Sequence, residues 1–158
     1  MNKSELIEKI RQLPVQVSRL VDGLSEGDLV TNFLIKADGS PEWTVAQNVH
    51  HLADAHMNAF LRCKRMMTEE EIRSRPYDQD GWAALPEAQS ADLSSSLAIL
   101  HNLHDRWVKF WDSLTEDDFQ RFGINSVGNR FTLADQLSVY ANHGEAHLDQ
   151  IKRTLAAR

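Results

Sequence analysis

The sequence predicts an all-α protein, a four-helix bundle made of two helix–long loop–helix halves. Apolar residues recur at helical spacing in four long stretches. Hydroxyl-bearing residues followed by a polar partner three positions later mark several starts. No alternating run of strand length competes with them.

The first stripe is Leu6, Ile10, Leu13, Val17, Leu20 and Leu24. Pro14 sits inside it, and its missing N–H predicts a kink or the start of a second half. Thr44-Val-Ala-Gln47 opens the second stripe, Val45, Val49, Leu52, Phe60, Cys63 and Met67. There the threonine hydroxyl and the glutamine amide can satisfy otherwise orphaned first-turn groups. Leu93, Leu97, Leu100, Trp107, Trp111 and Leu114 form the third. The fourth, Leu133, Leu137, Tyr140, Leu148 and Ile151, follows Thr132-Leu-Ala-Asp135. Ser25-Glu-Gly-Asp28 and Thr115-Glu-Asp-Asp118 repeat the capping device before short turns, so the two halves share a pattern suggestive of pseudo-symmetry. Arg73 to Trp82 is rich in turn formers yet carries Tyr77 and Trp82. That segment reads as a loop stapled to the bundle or as a lid over a pocket.

A chain of 158 residues fits a single domain spanning 1–158. Seventeen Lys and Arg against 23 Asp and Glu leave a formal charge of −6, which argues against a general nucleic-acid binder. Cys63 stands alone and cannot form an internal disulfide, consistent with a reducing compartment. The start, MNKSELIEKIRQL, carries charges throughout and lacks a signal-peptide apolar stretch. No window approaches 18 apolar residues, so no membrane span is expected and a cytoplasmic setting is.

The chemistry lies in seven histidines, at 50, 51, 56, 101, 104, 143 and 147, all within predicted helices. His143 and His147 are four apart and share a helix face about 6 Å from each other. Neutral imidazoles so placed can hold one Zn²⁺ or Ni²⁺. The alternative is a pair of ordinary half-buried histidines. In His143-Gly-Glu-Ala-His147 the glutamate is two positions after the first histidine and points away, unlike the His-Glu-x-x-His of zinc proteases. A third ligand must come from another helix, and His51 is our choice. It stands eight residues after Trp43, roughly 12 Å along its helix. His147 and His143 lie roughly 10 and 16 Å from the end of theirs, so an antiparallel pairing of the second and fourth helices levels the three. His56 is nearer the middle of the apolar stripe and remains a rival ligand or a neighbour of the site. His50 falls on the far side. His104 reads as a core or pocket histidine, and His101 as surface or partly buried.

Trp43-Thr-Val-Ala-Gln-Asn-Val-His-His51-Leu-Ala-Asp, with His143-x-x-x-His147 and Gln150-Ile151, resembles the DinB-like superfamily. His50 to Asn58, followed by Arg75-Pro-Tyr-Asp-x-x-Gly-Trp82, is similar to its YfiT-type subgroup, described as metal-dependent hydrolases and as bacillithiol transferases. The resemblance runs from about Leu24 to Ile151. It implies an up-down-down-up bundle, commonly a homodimer, with a metal on His51, His143 and His147. The additional histidine that some relatives carry after the Gly144-Glu145 position is missing here.

Three neutral histidines leave the ion's charge uncompensated and a coordination position open, which suits a reactive site. Either a bound water becomes a nucleophile, or a low-molecular-weight thiol binds, loses its proton and attacks a small electrophile. Asp54 and Asp149 read as solvated, so no carboxylate is evident for moving a proton from water. Thiol transfer, of the bacillithiol type the resemblance allows, makes less demand on such a base. Asn48, His56, Asn58, Arg62 and Tyr140 are the expected substrate-binding groups, with Gln150 beside them and Arg62 and Arg75 able to grip a carboxylate. Cys63 continues an apolar stripe and is not expected to be a nucleophile. The alternatives are a metal-dependent hydrolase, a non-catalytic stress-related metal-binding module, and a structural helical dimer with incidental histidines.

Overall fold

Four long helices form where the apolar stripes lie, and capping pairs start three of them. The computed structural model describes residues 2–158. Helix α1 spans Lys3–Val21, the short α2 Glu26–Val30, α3 Val45–Thr68, the short α4 Gln79–Ala83, α5 Ser94–Asp112 and α6 Leu133–Ala156. The Ser25, Thr44 and Thr132 side chains each accept from the amide three residues on, while that residue's side chain reaches back, starting α2, α3 and α6 as expected. Asn2 does the same for α1, a cap the sequence reading did not include.

Cross-helix contacts define the directions. Along α3, Asn48, His56 and Arg62 meet His147, His143 and Tyr140 in that order, so α3 runs antiparallel to α6. His56 and Phe60 meet His104 and Trp107, so α3 runs parallel to α5. Ser18 and Arg11 meet His101 and Asp112, so α1 runs antiparallel to α5. The bundle is therefore up-down-down-up, and the three long loops between its helices carry the short helices and strands. The core divides into one cluster around Trp107, Trp111 and Phe60 and another around Leu52, Leu100 and Ile151. Each large side chain fully buried there contributes about 1.5–3 kcal/mol.

Two features depart from the helical reading. A three-stranded sheet closes one end of the bundle, with β1 (Ile72–Arg73) parallel to β2 (Phe122–Ile124) and β2 antiparallel to β3 (Arg130–Thr132). Segments of two or three residues are too short to alternate visibly. Gly123 lets them close. A Cβ there would lie 2.7 Å from the Phe131 ring and 2.8 Å from Ile72. Pro14, moreover, does not restart the helix. It lies buried inside a continuous α1, leaving the Ile10 carbonyl without the N–H that an ordinary residue four positions on would donate.

Candidate metal centre

Helix α3 brings His51 to the centre of the bundle, and α6 brings His143 and His147 to the same level. Nε2 of His143 lies 3.2 Å from Nε2 of His51 and 3.2 Å from Nε2 of His147. Among the described residues these three form a group able to share an ion, with ligand atoms all within 4.8 Å of one another. Imidazoles bound tetrahedrally at 2.0–2.1 Å place their nitrogens about 3.3 Å apart, so both 3.2 Å separations suit a zinc-sized cation.

The other ring nitrogen of each imidazole has a polar partner, and for His147 that partner fixes the tautomer. Nδ1 of His147 lies 2.8 Å from Oδ1 of Asn48, whose amide NH₂ donates to the Thr44 carbonyl. Asn48 is thereby oriented as an acceptor and His147 carries its proton on Nδ1. Nδ1 of His143 faces Nε2 of His56 at 3.1 Å, and Nδ1 of His51 faces the Tyr77 hydroxyl at 3.5 Å. The Trp43 ring stacks over His147 at 6.1 Å and leans on His51 at 4.7 Å, walling the site.

Burial keeps the rings neutral. It pulls His51 down to about 4, with His147 adding to the effect. His143 falls to about 3 through burial and then through the two other histidines. His147 falls to about 4 through burial, opposed by its hydrogen bond with Gln150. Nε2 lone pairs turned toward one another at this spacing would be unfavourable by themselves, and a cation resolves that conflict. The donor set thus fits a divalent metal, with imidazole the ligand type that zinc and nickel accept.

The other expected residues divide between two sides. Asn48 and His56 have no exposed surface, Asn48 lying against His147 and His56 against His143. Arg62 and Tyr140 are half-buried beside it, the guanidinium donating to the Tyr140 hydroxyl at 3.1 Å and to Gln136 at 3.0 Å. Asn58 and Arg62 line a cleft of about 710 Å³ that continues to Arg65, Arg73 and Arg75. Arg65 and Arg73 pair with Glu69 and Glu71, whereas Arg62 makes its hydrogen bonds to neutral partners. Asp54, expected to be solvated, is half-buried, and its carboxyl is pushed up by burial and by Glu87. Tyr77 is pushed up to about 12 by burial, then by Asp54 and Tyr140. Its ring packs on Trp82 at 4.4 Å, and its hydroxyl, 3.5 Å from His51 Nδ1, brings the 73–82 segment to the site.

His104 is buried, as expected, and His101 is exposed against Ser18. His50 is buried on the α5 side, bonded to Ser96 and the Ser90 carbonyl. Glu145 pairs with Lys9 and Asp149 with Lys152, both on exposed faces away from the imidazoles. Cys63 is fully buried and pushed up to about 12 by that burial, which makes it inert. The contacts of Trp43 and Tyr77 with the imidazoles lay outside the sequence reading, which gave Tyr77 only a place in a stapled loop or lid. Only their aromaticity beside the histidine motifs signalled them.

Comparison with known proteins places this geometry. The DinB superfamily model matches residues 7–151. The chain belongs to the DinB superfamily. It is 37% identical over 150 residues to "Putative metal-dependent hydrolase YfiT" of Bacillus subtilis (strain 168), covering 94% of this chain and 82% of that one. A protein of Geobacillus thermodenitrificans (strain NG80-2), also named "Putative metal-dependent hydrolase", is 40% identical over 151 residues, covering 93% and 80%. The solved structure of YfiT from Bacillus subtilis, described as having an unusual four-helix bundle topology, superposes with a TM-score of 0.88 at 35% identity, covering 96% and 85%. A mycothiol-dependent maleylpyruvate isomerase shares the fold, with a TM-score of 0.57 at 17% identity, covering 94% and 60%. This DinB-family chain thus stands among relatives named as metal-dependent hydrolases and carries a candidate three-histidine metal site. Among the described residues no helix is long and apolar enough to cross a membrane.

Proposed function

We propose that this protein is a metal-dependent S-transferase that joins a low-molecular-weight thiol of the bacillithiol type to small electrophiles. His51, His143 and His147 hold the ion, zinc in the first instance and nickel as the alternative. The convergence of three neutral imidazole nitrogens, each with its other nitrogen engaged, is the observation that carries the reading. A divalent cation held there supplies a charge that favours loss of the proton from a thiol or water beside it.

The chain's own residues support the thiol more than water. No carboxylate hydrogen-bonds to any of the three imidazoles among the described residues, so a base for water is not built into the ligand set. Arg62, held by Gln136 and Tyr140, offers a guanidinium to an anionic group on the thiol at the mouth of the cleft. Asn58 lines the same wall. The thiol gives its proton to solvent, its sulfur then bonds to the electrophilic carbon, and the leaving group departs with the electron pair of the bond that breaks. Trp43 packs against two of the imidazoles.

Hydrolysis is the second reading. It is favoured by Asp54, whose half-buried carboxyl is pushed up by burial and by Glu87, and by the relatives' name. We further place the protein in the cytoplasm as a homodimer, on the family resemblance and the solitary cysteine.

The test uses protein purified without a histidine tag. Metal analysis should find about one divalent ion per chain, lost in His51→Ala and His143→Ala variants that remain folded. Full metal retention in both overturns the site. Loaded enzyme should then consume bacillithiol, or another small thiol, with an aryl halide electrophile faster than it cleaves generic esters. Ester cleavage without thiol consumption would establish the hydrolase instead.

A further inference from the structure

A line of imidazoles runs from the candidate metal centre to the opposite side of the bundle. His143 Nδ1 lies 3.1 Å from His56 Nε2, and His56 Nδ1 lies 2.9 Å from His104 Nε2. His104 Nδ1 then lies 2.6 Å from the carbonyl oxygen of Ile10. Both inner histidines are buried, His56 at 0% exposure and His104 at 2%, so solvent cannot substitute for a missing partner.

The line has only one direction. A backbone carbonyl can only accept, so His104 donates from Nδ1 and, being neutral, offers a lone pair on Nε2. His56 must donate to that lone pair from Nδ1, which leaves its own Nε2 to accept. His143 must in turn donate from Nδ1, and its Nε2 faces the ligand position with no hydrogen. Each tautomer follows from the one before it, and the Ile10 carbonyl is the origin. That carbonyl is free because Pro14, four residues on, has no N–H to give it.

From this geometry we infer that His56 and His104 are positioning residues for the metal centre. Anchored on Ile10, they lock His143 as the Nδ1–H tautomer and so present its Nε2 to the ion. The inference rests on the three-histidine reading above, and Asn48 acts likewise on His147 alone. Partners of this kind orient ligating imidazoles and raise their basicity, and their loss commonly weakens metal affinity 10–100-fold. The line also ties the site to α1 and α5, which contribute no candidate ligand.

The decisive measurement needs no metal and no variant. Nitrogen-15 correlation spectra of the metal-free protein at neutral pH should show His104, His56 and His143 all protonated at Nδ1. His143 protonated at Nε2 overturns the inference. Variants then test its consequence by zinc competition titration. His56→Met should weaken zinc binding 10–100-fold, whereas His56→Gln, which keeps one acceptor and one donor, should stay within about threefold of the parent. Unchanged affinity in a folded His56→Met overturns the positioning role. If His56→Met does not fold, His104→Met carries the same expectation, and the spectra of the parent decide regardless. A parent that binds no zinc yet shows the expected tautomers sinks the metal reading and leaves the locked line standing.

Discussion

Oδ1 of Asn48 lies 2.8 Å from Nδ1 of His147, across the α3–α6 interface, at a residue with no exposed surface. Asn48 is therefore expected to act through the imidazole rather than on a substrate. Asn48→Leu, close in shape, removes the acceptor and should weaken zinc binding 10–100-fold in competition titration. KM for the thiol, measured at saturating zinc, should stay within about twofold. A large KM change with normal zinc affinity would place Asn48 in the substrate pocket after all.

Arg62 should behave in the opposite manner. Its guanidinium reaches Gln136 and Tyr140 and makes no hydrogen bond to an imidazole. Arg62→Met is expected to raise KM for an anionic thiol about tenfold or more, consistent with loss of a charge-assisted hydrogen bond. Zinc affinity should not move. Arg62→Lys should recover only part of the loss, because an ammonium cannot grip a carboxylate in the forked geometry. Kinetics with an uncharged thiol supply the control, on which both variants should match the parent.

Close packing of α1 on α6 depends on Gly144, the residue after His143. A Cβ at Gly144 would stand 2.8 Å from one terminal carbon of Leu13 and 3.2 Å from the other. Alanine gains about 1 kcal/mol in helix propensity, but Leu13 is only 2% exposed and has little room to move. Overpacking costs about 1–3 kcal/mol and should win, so Gly144→Ala is expected to lose about 1 kcal/mol in urea unfolding. Adding Leu13→Val should restore part of it. A Gly144→Ala protein more stable than the parent would show that the interface yields freely.

Acid should destabilise the metal-free protein through His104. Folded, this ring is pulled from 6.5 down to about 4, mainly by burial, with the Ile10 carbonyl opposing and His101 adding to the effect. His56 is the other titratable group in direct contact with it. Between those values the unfolded chain takes up a proton that the folded chain does not. Stability is thus full above about pH 6.5 and falls as pH drops toward 4. This one ring accounts for a loss on the order of 3 kcal/mol. Urea midpoints of the parent and His104→Gln at pH 7.5, 5.5 and 4.5 check it, since the variant should show a shallower decline. Parallel profiles would remove His104 as a cause.

Much of the molecule was legible in the order of its residues. Leu6, Ile10, Leu13 and Val17 are spaced so that only a helix gathers them, and the capping pairs at Thr44 and Thr132 are local chemistry. His51, His143 and His147 could be levelled by counting 1.5 Å per residue along two antiparallel helices. The strands were hidden because each is too brief to show a period, and because β1 finds its partner far along the chain, Ile72 meeting Gly123 about fifty residues on.

Tertiary structure alone decided what surrounds the three imidazoles. Periodicity put His56 and His104 in the core but could not say that they would touch each other, or that Pro14 would leave them a carbonyl to start from. Nor could it bring Tyr77 to His51 or lay Trp43 over His147. The physical reason is range. Helix formation and capping act over four residues and are written in sequence spacing, whereas the proton on each imidazole is set by whichever helix or loop packs against it.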